Sequence, residues 1–242
     1  MTGTRSPAEP ATSAERRKTA RVRWAAGAAV ALALLFAGAA AVASAREDGS
    51  APGAAGAPAP DSADAGFARD MAVHHQQAVE MSFIVRDRTE DEDVRRLAYD
   101  IANTQANQRG MLLGWLDLWE LPKVAGGDQP PMAWMGGGEG DGGHEHGGHQ
   151  PDRGSDGVLM AGMASRAELE RLARLDGRQA EVIYLQLMTD HHKGGVAMAE
   201  ACASRCTVPV EQRLARGMVE GQQSELGLMR DMLTERKTRP RS

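Results

Sequence analysis

From residue 62 to residue 121, and again from 177 to 236, apolar and polar positions alternate with the period of a helix rather than that of a strand. Placed at roughly 100° per residue, Phe67, Met71, His74, His75, Ala78, Met81, Ser82 and Val85 fall within about a third of a turn. This stripe predicts a helix from about Ser62 to Arg88. Thr89-Glu90-Asp91-Glu92 has the form of a capping box and starts a second helix, which runs to Leu121, where Pro122 stops it. The later segment repeats the stripe with Tyr184, Met188, His191, His192, Gly195, Met198, Ala199 and Cys202. Thr207 and Pro209 suit the start of the last helix. Ser165 with Glu168 caps a short extra helix that ends near Gly177.

The two stripes are copies. His74-His75 and His191-His192 stand 117 residues apart, and the same offset pairs Met71 with Met188, Val79 with Val196 and Met81 with Met198. It also pairs Leu97-Ala98 with Leu214-Ala215, Gln105 with Gln222, Gly110 with Gly227, and Leu116 with Leu233. Residues 67–119 and 184–236 therefore read as one duplicated helical hairpin. Two such hairpins predict an all-α, four-helix bundle with a pseudo-two-fold axis. The bundle spans residues 66–236, with hairpin 1 at 66–121, a Gly/His-rich loop at 123–164, hairpin 2 at 165–236 and a tail at 237–242.

Composition and charge add a location. Aromatics make up only 4% of the chain, and the apolar content leans on Ala, Leu, Val and Met, which suits helices better than a β-sandwich. Arg16, Arg17, Lys18, Arg21 and Arg23 precede an apolar run from Trp24 to Ala43 and a small-x-small pattern at Ala43-Ser44-Ala45. Residues 1–45 thus read as a signal peptide or an uncleaved membrane anchor, and residues 46–65 as a flexible Ala/Pro/Gly tether. Either way the rest of the chain is expected outside the cytoplasm, secreted or membrane-anchored by the N-terminal helix. The first 45 residues carry six basic and two acidic side chains, which leaves 22 basic and 31 acidic in the remainder, a net charge of −9. Such a surface excludes nucleic acid as a partner.

The candidate chemistry lies on the stripes. A lone histidine on an apolar face is most often a core residue, and methionines at helical spacing are core filler. Two histidine pairs at matched positions, each flanked by methionines, favour a metal ion instead. The candidate ligands are Met71, His74, His75 and Met81 in the first unit and Met188, His191, His192 and Met198 in the second. Imidazole suits several metals, whereas thioether favours Cu(I), so copper is the expected ion. No carboxylate lies within the stripes, and Asp70, at the edge of the first, has Leu187 as its counterpart. A di-iron centre would need Glu-x-x-His motifs, which the sequence lacks.

Other residues extend the set. The loop contains Met132, Met135, His144, His146, His149, Met160 and Met163, which either capture metal for the bundle or belong to an incidental low-complexity linker. Gln105 and Gln222 recur near the inner faces of the second helices, either as hydrogen-bond partners of ligating imidazoles or as inter-helix contacts that fix register. Cys202 and Cys206, whose counterparts are Val85 and Thr89, are expected to form a disulfide at the end of a helix, with Cys202 as an extra soft ligand the lesser alternative. No nucleophile motif or phosphate loop is present. The functional reading is an exported protein that sequesters or transfers copper, more a binding protein than an enzyme. A metal-dependent redox enzyme and a metal-free structural or partner-binding bundle are the rivals.

MAVHHQQAVEMS and MTDHHKGGVAMAE, followed by LAYDIANTQANQRGMLLGWL and LARGMVEGQQSELGLMRDML, resemble the family called domain of unknown function 305 over roughly residues 66–236. The resemblance implies a ferritin-like four-helix bundle, exported or membrane-tethered, and an association of some members with copper. It carries over to Met71, His74, His75, Met81, Met188, His191, His192 and Met198. Val73 stands where the family often has Pro, and Lys193-Gly194 replaces a more usual polar pair. Lys193 would disfavour a cation if it pointed inward.

Overall fold

The computed structural model describes residues 56–124, 126, 130–136 and 158–241. The segment 1–45, residues 46–55 of the tether, and His144, His146 and His149 lie outside the described residues. The described elements are five α-helices: α1 (Ala63–Arg86), α2 (Glu92–Leu118), α3 (Arg166–Arg174), α4 (Gly177–Arg205) and α5 (Pro209–Glu235), with a 3-10 turn at Ala133–Met135. Helices α1 and α2 form one hairpin, α4 and α5 the other, and α1 packs antiparallel on α4. The protein is an all-α four-helix bundle, with α3 as an accessory helix.

Local chemistry sets the helix ends. Ser62 caps α1 by accepting from the Ala65 amide at 3.2 Å. At the next corner the cap is Asp91 rather than Thr89: its carboxylate accepts from the Val94 amide at 2.9 Å, while the Thr89 hydroxyl accepts from the Asp91 amide. Helix α2 stops at Leu118, three residues short of the expected Leu121. Glu120 turns the chain in the left-handed region (φ 57°) and the Leu121 amide reaches back to the Leu116 carbonyl. Ser165 and Glu168 form the capping box expected of α3. Gly177, expected near the end of α3, is the first residue of α4.

The start of α5 departs from the sequence expectation in an instructive way. Pro209 occupies its first turn, but Thr207 supplies no side-chain cap. The cap comes from the other hairpin: Asp64, near the start of α1, accepts from the Thr207 and Val208 amides at 2.9 and 2.7 Å and from the Thr207 hydroxyl. The opposite pole has a related arrangement. Glu181, near the start of α4, accepts from the Thr89 hydroxyl at 2.6 Å and from Arg236 at 2.8 Å. Asp64 and Glu181 are themselves 117 residues apart.

The core divides along the bundle axis. One cluster gathers Met81, Val85, Val94, Leu97, Tyr184, Met188 and Leu233. The other gathers Phe67, Met71, Leu112, Leu116, Met160, Met198, Cys202, Cys206 and Met218. All sixteen stripe positions are buried, as burial of a single helical face requires.

Candidate metal centre

The two histidine pairs lie on α1 and α4, the helices that cross at the centre of the bundle. All four imidazoles are fully buried. His74 and His191 meet face to face, with ring centroids 3.7 Å apart and planes tilted by 31°. His75 and His192 flank them, at 6.4 and 6.3 Å from the neighbouring ring on their own helix. The antiparallel crossing sets Met71 beside Met198 in one cluster and Met81 beside Met188 in the other. The histidines therefore form a layer with thioethers in the clusters on both sides.

Hydrogen bonds fix three of the tautomers. The His191 Nε2–H donates to the His74 carbonyl at 3.0 Å. The His75 Nε2–H donates to Gln108 Oε1 at 2.9 Å, and the His192 Nε2–H donates to Glu225 Oε2 at 2.6 Å. Each acceptor places a proton on Nε2, so in the neutral ring Nδ1 carries the lone pair. Those three Nδ1 atoms have no hydrogen-bond partner, and neither nitrogen of His74 has one.

Electrostatics keep His74, His75 and His191 neutral. Burial, then the neighbouring His75 and His192, hold the His74 imidazole well below its ordinary range. His191 is lowered in the same way, by burial first and then by His74, His192 and His75. Burial drives His75 down to about 3 against the opposing pull of Gln108. A neutral imidazole is the form that ligates a metal. Buried polar atoms without partners are costly, and a cation accepting these lone pairs would satisfy them. The donor set fits a soft ion, although the rings as placed do not gather three nitrogens around one point. Among the described residues, the group of three Cys, His or acidic donors within 4.8 Å of one another is Cys202, Cys206 and Glu211.

The remaining expectations are placed as follows. Gln105 and Gln222 are buried, but neither amide makes a hydrogen bond. The imidazole partners are Gln108 and Glu225, one helical turn further on. Gly195 makes room for the Gln222 amide of α5: a Cβ there would lie 2.4 Å from Gln222 Oε1. Lys193 points outward and pairs with Asp190 at 3.2 Å. Asp70 turns away from the histidines and holds the loop, accepting from the Met132 amide and the Trp134 indole N–H at 2.7 and 2.9 Å.

Met132, Met135 and Met163 pack against the cluster that contains Met71, and Met160 is buried within it. The segment before α3 is held from both sides. Gln77 bonds both the amide and the carbonyl of Ala164, and Gly194 gives Ala161 and Gly162 a close backbone approach to α4. Cys202 and Cys206 are joined as a disulfide.

This fold places the chain in the class of all-α, ferritin-like four-helix bundles. Residues 64–233 match the family described as domain of unknown function (DUF305), and the chain belongs to that family. No curated protein matches it. Among solved structures, a presumed secreted DUF305 protein from Streptomyces coelicolor is 62% identical, with a TM-score of 0.65 over 76% of this chain and 99% of its own. A DUF305 fragment from Deinococcus radiodurans is 29% identical, with a TM-score of 0.55 over 72% of this chain and 96% of its own. CopM in the Cu(I)-bound form shares the fold at 18% identity, with a TM-score of 0.51 over 71% of this chain and 96% of CopM.

Proposed function

We propose that this protein is an extracytoplasmic binding protein for a soft metal ion, copper(I) above all, which it sequesters or hands on. The observation that carries this reading is the set of four buried imidazoles, three of them with Nε2 engaged and Nδ1 without a partner. Methionines in the clusters on either side select for a soft ion, since thioether ligands favour Cu(I). His74, His75, His191 and His192 would supply imidazole, and Met71, Met81, Met188 and Met198 thioether. Gln108 and Glu225 orient the outer rings. CopM provides an instance of this fold with Cu(I) bound.

The location rests on the basic and apolar N-terminal segment and on the Streptomyces coelicolor relative. No helix among the described residues is long and apolar enough to cross a membrane. Membrane attachment would therefore fall to residues 1–45 if they are retained.

One observation favours a second reading. The tight stacking of His74 on His191 suits a metal-free packing layer, and a partner-binding bundle would need nothing more. Copper retained after dialysis separates the two readings. The parent chain is expected to keep Cu(I) at a fixed ratio, and a variant with all four histidines changed to Ala is expected to keep none while remaining helical by circular dichroism. Equal copper in both, or none in the parent, would overturn the assignment to the histidine layer.

A further inference from the structure

The corner where α4 meets α5 holds a second group of donors. Cys202 and Cys206 close the last turn of α4, and the Glu211 carboxylate comes from the first turn of α5. Their donor atoms lie within 4.8 Å of one another, and all three residues are buried. Ionised, the Glu211 carboxylate finds no donor; protonated, it shares a hydrogen bond with the neighbouring Asp64 carboxylate. Two carboxyl groups brought together in a buried corner are costly to ionise, so a need to fill space does not account for Glu211.

The 117-residue offset makes that point directly. It pairs Cys202 with Val85, Cys206 with Thr89 and Glu211 with Val94. At the opposite pole Val85 and Val94 are buried core residues, so apolar side chains suffice to fill the matched positions. The nearby acids differ as well. Glu181 is neutralised by Arg236 at 2.8 Å, whereas Asp64 has no cationic partner among the described residues. The donor-rich corner is thus also the one whose anchoring acid has no cation.

We propose that Cys202, Cys206 and Glu211 form a second metal site, separate from the histidine layer and opened by reduction of the disulfide, which holds a thiophilic d10 cation. The last turn of α4 keeps the cysteines together without the S–S bond, because the Cys206 amide donates to the Cys202 carbonyl at 2.9 Å. Asp64 independently holds residues 207 and 208 in place. The reductant is a dithiol. One of its thiolates attacks a cysteine Sγ and breaks the Sγ–Sγ bond, and its second thiol then displaces the mixed disulfide. The reductant leaves as a cyclic disulfide, having supplied two electrons, and its two protons end on the cysteines. Metal entry replaces the thiol protons, which pass to solvent. Two thiolates and a carboxylate then face the ion, a set that suits Zn(II), Cd(II) or Cu(I).

Cadmium is the discriminating probe, because its ultraviolet charge-transfer band reports thiolate ligands and is blind to imidazole and thioether. The full chain would be reduced with a trialkylphosphine, which takes oxygen from water as the disulfide becomes two thiols, then desalted without oxygen and titrated with Cd(II). The expected result is a band that saturates at one ion per reduced chain and is absent from the oxidised chain and from C202S/C206S. Glu211→Gln is expected to weaken that binding by about tenfold or more. Refolding the reduced chain with cadmium present removes access to the buried corner as an obstacle. No band under either condition, with both thiols counted free in denaturant, would overturn the site. Unchanged affinity in Glu211→Gln would remove the carboxylate from it. Neither outcome depends on whether the histidines bind copper.

Discussion

The histidine layer and the disulfide corner are both buried, and both gather metal-ligating side chains, but they are built in opposite ways. The layer is made of matched residues: His74 with His191, His75 with His192, and Gln108 with Glu225 at the same offset. The corner is made of residues that break the match, with Cys202, Cys206 and Glu211 standing where the first hairpin has Val85, Thr89 and Val94. Matched polar residues in a core point to a role shared by both halves of the bundle. Unmatched ones point to a role that only one half performs.

The pH dependence of stability sharpens this comparison most, because the two regions have opposite signs. Above about pH 6.5, the ordinary histidine value, His74, His75 and His191 are neutral in both folded and unfolded chains and their contribution is fully present. As pH falls from there toward about 3, unfolded chains take up protons that the buried His75 refuses. Stability of the metal-free bundle should therefore fall steeply on the acid side, by several kcal/mol. Burial, and then the neighbouring Asp64, push the Glu211 carboxyl up to about 9. Its contribution is present below its unfolded value and is lost as pH rises toward 9, because unfolded chains ionise first. Denaturant midpoints measured across pH should show both limbs. Glu211→Gln should flatten the alkaline limb alone, and an unchanged alkaline limb would break the comparison.

Smaller effects test the pieces. Glu181→Ala leaves the largely buried Arg236 with Asp91 as its remaining carboxylate, at 2.9 Å, and should cost about 2 kcal/mol in chemical denaturation. Asp64→Ala removes the bonds to the Thr207 and Val208 amides and the neighbouring charge from Glu211, and should cost about 1–2 kcal/mol. Glu225→Ala and Gln108→Ala should each lower copper affinity by about 10- to 100-fold while leaving the helical spectrum unchanged. An effect of Glu225→Ala without one of Gln108→Ala would show that the two halves of the layer are not equivalent. Cys202→Ser with Cys206→Ser should cost about 2 kcal/mol at most, because the closed loop is short. Gly195→Ala need displace only the flexible Gln222 amide and should cost about 1 kcal/mol. Ala78 already fills the matched position in α1.

The sequence was most legible where one helical face repeats. The sixteen stripe residues are all buried, because a helix packed on a helix must bury a face that its spacing defines. What escaped was chemistry shared between elements. Gln105 and Gln222 drew attention because they are identical, yet the imidazoles bond Gln108 and Glu225, which the offset also pairs but which differ in type. Asp64 and Glu181 escaped for the same reason. A hydrogen-bond acceptor need not be the same residue to do the same work. The caps failed differently: Thr207 has the right chemistry at a helix start, but the Asp64 carboxylate, a stronger acceptor, reaches in from another helix and takes the Thr207 hydroxyl and the Thr207 and Val208 amides. Glu211 gave only one signal, a carboxylate at a position where the other hairpin has valine.

The cross-capping by Asp64 bears on how the chain comes to be folded. Its amide partners lie 143 and 144 residues downstream. The carbonyl that receives the His191 proton likewise belongs to a residue 117 positions earlier. A first hairpin emerging during synthesis has neither its partner amides nor the opposing apolar stripe, and it must persist with its histidine face exposed to water until the second hairpin arrives. Completion of the bundle is therefore a late, all-or-none docking of two halves, and until it happens the imidazoles remain open to whatever ions the surrounding medium supplies.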